Sequence, residues 1–141
     1  MKSTLLIVLF FLAGTSQVSA QNSTYYIDPN TKQVSNWNTR YNFGYVYTYD
    51  FDLRQASKAY RSKCVVVVEI NSDGKGRLVS SIDGEKNVLS ILTCYKSDTQ
   101  FTFELINQYG KSITADLEIE NNRIHKFWAN GDDNVAIIFT N

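Results

Sequence analysis

Alternation of aromatic and small or polar side chains dominates one stretch of the chain. Across Tyr41–Phe51 every odd position is a ring (Tyr41, Phe43, Tyr45, Tyr47, Tyr49, Phe51), and the even positions are Asn42, Gly44, Val46, Thr48 and Asp50. A strand sends successive side chains to opposite faces, so this period of two predicts one strand with six rings on a single side. Eleven extended residues span roughly 36 Å, long for a small domain. A bend or bulge is therefore expected, and Gly44 is its natural place.

Downstream the pattern changes once and then settles. Leu53, Ala56 and Tyr60 recur at helical spacing among Arg54, Gln55, Ser57 and Lys58, with Asp50 or Asp52 available as a cap. This predicts a short helix over Asp52–Arg61. Strands follow at Cys64–Ile70, Arg77–Ile82, Val88–Cys94, Gln100–Asn107, Ser112–Ile119, Arg123–Ala129 and Val135–Phe139, with starts 11 to 13 residues apart. Between them sit Asp73-Gly74, Asp83-Gly84, Lys96-Ser97-Asp98, Tyr109-Gly110, Asn121-Asn122 and Asn130-Gly131, residue types that fold back or accept positive φ. Hairpin after hairpin at this regular spacing predicts an antiparallel meander. Phe101, Phe103 and Leu105 against Thr102 and Glu104 imply one dry and one solvated face, as do Ile113, Ala115, Leu117 and Ile119 against Thr114, Asp116 and Glu118. Cys64–Ile70 is apolar on both faces, which predicts a strand covered on both sides, with the helix as the cover. The expected fold is all-β with one short helix between strands one and two: about eight strands in a small barrel or a strongly curled sheet.

The first forty residues stand apart. Lys2, the apolar run Leu5–Ala13 and the small-residue pattern Val18-Ser19-Ala20 read as a cleaved signal peptide over 1–20. The run is far short of the ~20 residues that span a bilayer. Residues 21–40 form a polar, irregular lead-in with a short edge strand at Tyr25-Tyr26-Ile27, a turn at Asp28-Pro29-Asn30, and Trp37 pinned against the core. Residues 41–141 form the single β domain. The expected product is secreted, to the extracellular medium or a periplasm, with no membrane insertion after cleavage.

Charge removes some partners. Lys and Arg number 14 and Asp and Glu 14, dispersed along the chain. Such a balance has no electrostatic footprint for nucleic acid and no lysine cluster for anionic membranes. The two cysteines pull in opposite directions. An oxidising compartment argues for a Cys64–Cys94 disulfide. A meander puts them at opposite ends of a sheet, roughly 20 Å apart by strand rise, where a bond needs Cα atoms within about 7 Å.

Reaction chemistry is thin. His125 is the only histidine, with no ligand-spaced Cys, Asp or Glu around it, and no serine sits on a nucleophile elbow. Asn71-Ser72-Asp73-Gly74 and Gly131-Asp132-Asp133-Asn134 are oxygen-rich but lack the distal glutamate of a calcium loop. No cofactor is implied and no catalytic residue is assigned. The expectation is a non-enzymatic protein that binds a small molecule, glycan or protein through the aromatic strand, with Trp37, Tyr41, Tyr45, Tyr47, Tyr49 and Trp128 as candidate contacts. The alternative is a carrier holding a small apolar ligand inside the barrel.

Overall fold

A computed structural model describes residues 16–20, 23–131 and 133–141. Among these residues twelve strands appear in chain order: β1 (Ser16–Ala20), β2 (Ser23–Ile27), β3 (Val34–Ser35), β4 (Trp37–Asp50), β5 (Gln55–Ala56), β6 (Tyr60–Ile70), β7 (Gly76–Ile82), β8 (Glu85–Lys96), β9 (Gln100–Ile106), β10 (Ser112–Glu120), β11 (Arg123–Asn130) and β12 (Val135–Thr140). From β6 to β12 each strand pairs antiparallel with the next, and β4 pairs with both β6 and β12. That last pairing closes the meander into an eight-stranded antiparallel barrel.

The turn residues behave as their chemistry requires. Asp83-Gly84 and Asn121-Asn122 form two-residue hairpin loops with positive φ at both positions, the geometry whose twist matches the flanking strands. Asp73 Oδ1 accepts from the Lys75 amide at 2.9 Å, so this acidic loop is a hairpin turn. Gly76 is demanded by space: a Cβ there would lie 1.8 Å from the Glu69 carbonyl oxygen.

Eight strands enclose an interior just wide enough for side chains to fill, and here they fill it. Trp37, Leu78, Ile91, Phe101, Phe103, Leu105, Leu117, Phe127 and Phe139 are all buried. One barrel end is closed by the lead-in, which is more ordered than expected. β2 and β3 form a hairpin, and Tyr25 and Val34 bury beside Trp37. Tyr25 meets Phe101 edge-on at 5.2 Å between centroids, and Trp37 lies 4.3 Å from the same ring. The Trp37 Nε1 donor has no hydrogen-bond partner among the described residues; burying such a group costs about 1–3 kcal/mol, here set against these ring contacts. Of the expected signal segment 1–20, the first fifteen residues lie outside the described residues. Ser16–Ala20 pairs with β2, so cleavage after Ala20 would strip that edge strand.

No helix forms over Asp52–Arg61. The chain instead turns at once: Asp50 Oδ1 accepts from the amides of Asp52 (2.9 Å) and Leu53 (3.0 Å), Arg54 takes a positive φ, and Gln55–Ala56 pairs back onto Tyr49–Asp50. Thr48 and Ser57 extend the hairpin, the Thr48 amide donating to Ser57 Oγ and the Ser57 amide to the Thr48 carbonyl. The residues read as an apolar helical face stay in water, Leu53 being 66% and Tyr60 61% exposed. A stretch this short is marginal as an isolated helix and needs tertiary burial of its apolar face; the hairpin offers ladder hydrogen bonds instead.

The cysteines are free and buried, Cys64 on β6 and Cys94 on β8. Cys64 stands level with Ile82 and Glu85 across the ladders, and Cys94 lies nine residues further along β8, on the order of 30 Å by strand rise. The separation expected from the meander holds, and no disulfide joins them. Burial pushes both thiols up, Cys94 more strongly.

Two expectations follow. Gly76→Ala should destabilise by several kcal/mol or prevent folding, whereas Gly44→Ala, with no heavy atom within 4 Å of the new methyl, should change urea stability by less than about 1 kcal/mol. Stability should also fall on the alkaline side. Burial, then the neighbouring Tyr41 and Cys94, push Tyr25 up to about 12. The unfolded chain ionises these thiols from about pH 9 and this phenol from about pH 10, while the folded state still holds the protons. Stability is then complete below pH 9 and falls between pH 9 and 12, each such group contributing about 1.4 kcal/mol per pH unit while only the unfolded state titrates. Urea midpoints measured from pH 7 to 11 check this, with Tyr25→Phe flattening the portion above pH 10.

Candidate aromatic site on the outer barrel wall

The six rings of Tyr41–Phe51 do not share a face. Tyr41 and Phe43 belong to the core, at 4% exposure each, together with Trp37 and Thr39. Opposite β6, the register slips: Phe43 pairs with Cys64 but Tyr45 with Arg61. On the other side Val46 pairs with the core residue Phe139, and Val46 packs against the core. Phe43 and Val46 both point inward, three residues apart, which a regular pleat forbids. The reversal falls at Gly44–Tyr45, where the bulge was expected. Its consequence is that Tyr45, Tyr47 and Tyr49 emerge on the outside.

There they meet residues from the far end of the chain. Tyr47 pairs with Ile138, which pairs in turn with Trp128, and Tyr49 pairs with Ala136. Ile138 and Ala136 are fully buried, yet both lie outside the core cluster; flanking rings cover them from the solvent side. Trp128 lies 6.2 Å from the Tyr49 ring and 5.9 Å edge-on to Phe51, and Tyr49 and Phe51 meet at 5.2 Å. Such offset and edge-on pairs add about 0.5–1.5 kcal/mol each beyond area burial. The result is an outer patch of Tyr47, Tyr49, Phe51 and Trp128, with Phe51 39% exposed.

The hairpin tip that presents Phe51 is pinned. Its amide donates to the Asn134 carbonyl at 3.0 Å, and Asn134 Nδ2 donates to Asp52 Oδ1 at 2.9 Å. Polar groups border the rings: Asp116 faces Trp128 across the ladder, Asn130 lies two residues along β11 from Trp128, and Asp52 follows Phe51 at the hairpin tip. Burial raises the Asp116 carboxyl above its ordinary range, while a Thr102 hydrogen bond opposes this. Tyr45 stands apart from the patch, 36% exposed, its hydroxyl accepting from Arg61 Nη1 at 3.3 Å with the guanidinium 5.9 Å over the ring.

Of the six candidate contacts, Tyr47, Tyr49 and Trp128 thus come together, Tyr45 lies beyond them, and Trp37 and Tyr41 are in the core. Phe51 joins the patch although it is not among the six candidates; it ends the same alternation, which is the signal that marks it. His125 sits at a bulge between β10 and β11, 3.6 Å from Glu118. Among the described residues no group of three or more His, Cys, Asp or Glu side chains is placed to hold a metal. Fold and site together define an antiparallel eight-stranded barrel with a filled interior and an aromatic patch outside. No family model, curated protein or solved structure matches the chain.

Stability should separate the two halves of the stripe. Trp37→Ala should cost about 3–5 kcal/mol, whereas Tyr49→Ala, on the half-open outer patch, should cost about 1 kcal/mol. Equilibrium urea unfolding of both variants tests the division, and equal large losses would place the outer rings in the core.

Proposed function

We propose that the protein is a secreted, non-enzymatic binding protein that holds a ligand with a flat apolar face, a sugar ring foremost, on Tyr47, Tyr49, Phe51 and Trp128. A closed barrel of this kind is compatible with either a binding or a carrier protein. The observation that favours surface binding is the pleat reversal at Gly44–Tyr45, which turns large rings out to solvent while the interior is already filled with side chains. Four rings, two of them with hydroxyl tips, beside Asp116 and Asn130 combine stacking with hydrogen bonding, the combination that suits hydroxylated ligands. Outward charges at Arg40, Glu69, Glu104 and Lys126, over an apolar interior, reverse the pattern of a lipid-facing barrel.

Tryptophan fluorescence supplies the test, since Trp37 is buried and Trp128 half-exposed. Titration with soluble oligosaccharides of glucose and of N-acetylglucosamine should produce a saturable change that Trp128→Phe abolishes. Tyr49→Ala should weaken that binding at least tenfold with unfolding little changed. A saturable response that survives both substitutions would exclude the patch as the site.

A further inference from the structure

A second outward feature is independent of the aromatic patch. The outer wall of β4, β6 and β7 carries a trough of about 320 Å³. Its floor is Val65, Val67 and Val79; Val67 pairs with Val79, and Val79 with the exposed Val88 on β8. These valines do not serve the barrel interior, for which β6 already provides Cys64, Val66, Val68 and Ile70. Outward positions on a barrel normally meet water and carry polar side chains. The helix expected to cover this face does not exist.

The rim explains what the floor does not. Arg40, Lys63, Arg77 and Lys86 line the trough, with Glu69 as the one acid. Arg77 Nε holds the Glu69 carboxylate. Arg40, Lys63 and Lys86 form no ion pair among the described residues. In a chain with equal numbers of acids and bases, four of the cations are gathered here. Cations beside a dry apolar floor act on an anion more strongly than the same charges in open water. Inorganic phosphate would leave the valines unused, and a neutral hydrocarbon would leave the cations unused.

The geometry points to a binding site for a small amphipathic organic anion: one carboxylate, sulfate or sulfonate on a compact apolar body. The volume lies at the lower end of small-molecule pockets, about 300–1,000 Å³, which fits a fused-ring or short-chain acid. The apolar body rests on Val65, Val67 and Val79, and the acidic group meets Arg40, Lys63 and Lys86.

The probe is 1-anilinonaphthalene-8-sulfonate, titrated by fluorescence into the folded protein. One saturable site is expected, displaced by decanoate and weakened at least tenfold between 0.05 and 1 M NaCl, roughly as screening of a few charges requires. Arg40→Glu with Lys86→Glu should reduce affinity at least tenfold at an unchanged urea midpoint; Arg40→Gln with Lys86→Gln does the same more mildly should the reversal disturb folding. Uncharged N-phenyl-1-naphthylamine should bind at least tenfold more weakly than the sulfonate, and Trp128→Ala should leave sulfonate binding unchanged. Sulfonate affinity that survives the charge changes, or is lost with Trp128, overturns the assignment, as does no binding at about 1 mM. A wild-type dimer in sedimentation that the same charge changes dissolve would give the trough to a second copy of the chain and also overturn it.

Discussion

The pairing of β12 with the distal half of β4 is the interaction on which the rest depends. It joins Tyr45–Asp50 to Val135–Thr140, segments at opposite ends of the sheet. Without it the meander would expose two edges, and inside and outside would lose their meaning. With it, Phe139 enters the core beside Phe43 and Phe127, while Ile138 and Ala136 turn outward beneath the tyrosines. One strand thereby serves the interior with its first half and the surface with its second. Because this contact spans most of the domain, its loop-closure entropy must be met by the gains of the completed barrel.

The reversal in β4 is a conflict settled locally. Unbroken alternation would have driven Tyr45, Tyr47 and Tyr49 into an interior already occupied by Trp37, Phe101, Phe103, Phe127 and Phe139. Close-packed cores do not admit three further rings. Giving up one regular pair at Gly44–Tyr45 removes that clash and lets the smaller Val46 face Phe139. Tyr49 then lies against Trp128 and Tyr47 stands across from Ile138, so the patch is partly self-supporting.

The same strand bounds both outward features. The aromatic patch lies toward β12 and β11, past the reversal; the cationic trough lies toward β6 and β7, before it. In each, side chains not needed by the interior are gathered where a solvated wall alone would not call for them. The two differ in chemistry, one built of aromatic rings, two of them with hydroxyl tips, the other of valines under cations, and so suit different ligands.

Strand positions, hairpin turns and the meander were legible in the residues, because side-chain period and positive-φ preference act over a few neighbours. Phe101–Leu105 and Asn121-Asn122 carry their conformations in their own chemistry. Burial of Trp37 was legible too, as a lone large apolar residue in a polar segment. Three matters were decided only by tertiary structure. Asp52–Arg61 has helical spacing, but no surface is present to bury its apolar face, so the Asp50 turn and the ladder prevail. Cys64 and Cys94 share a chain, but their separation follows from strand register. The direction of Tyr45, Tyr47 and Tyr49 depends on how much room the closed barrel leaves, and that volume is set by side chains up to a hundred residues away.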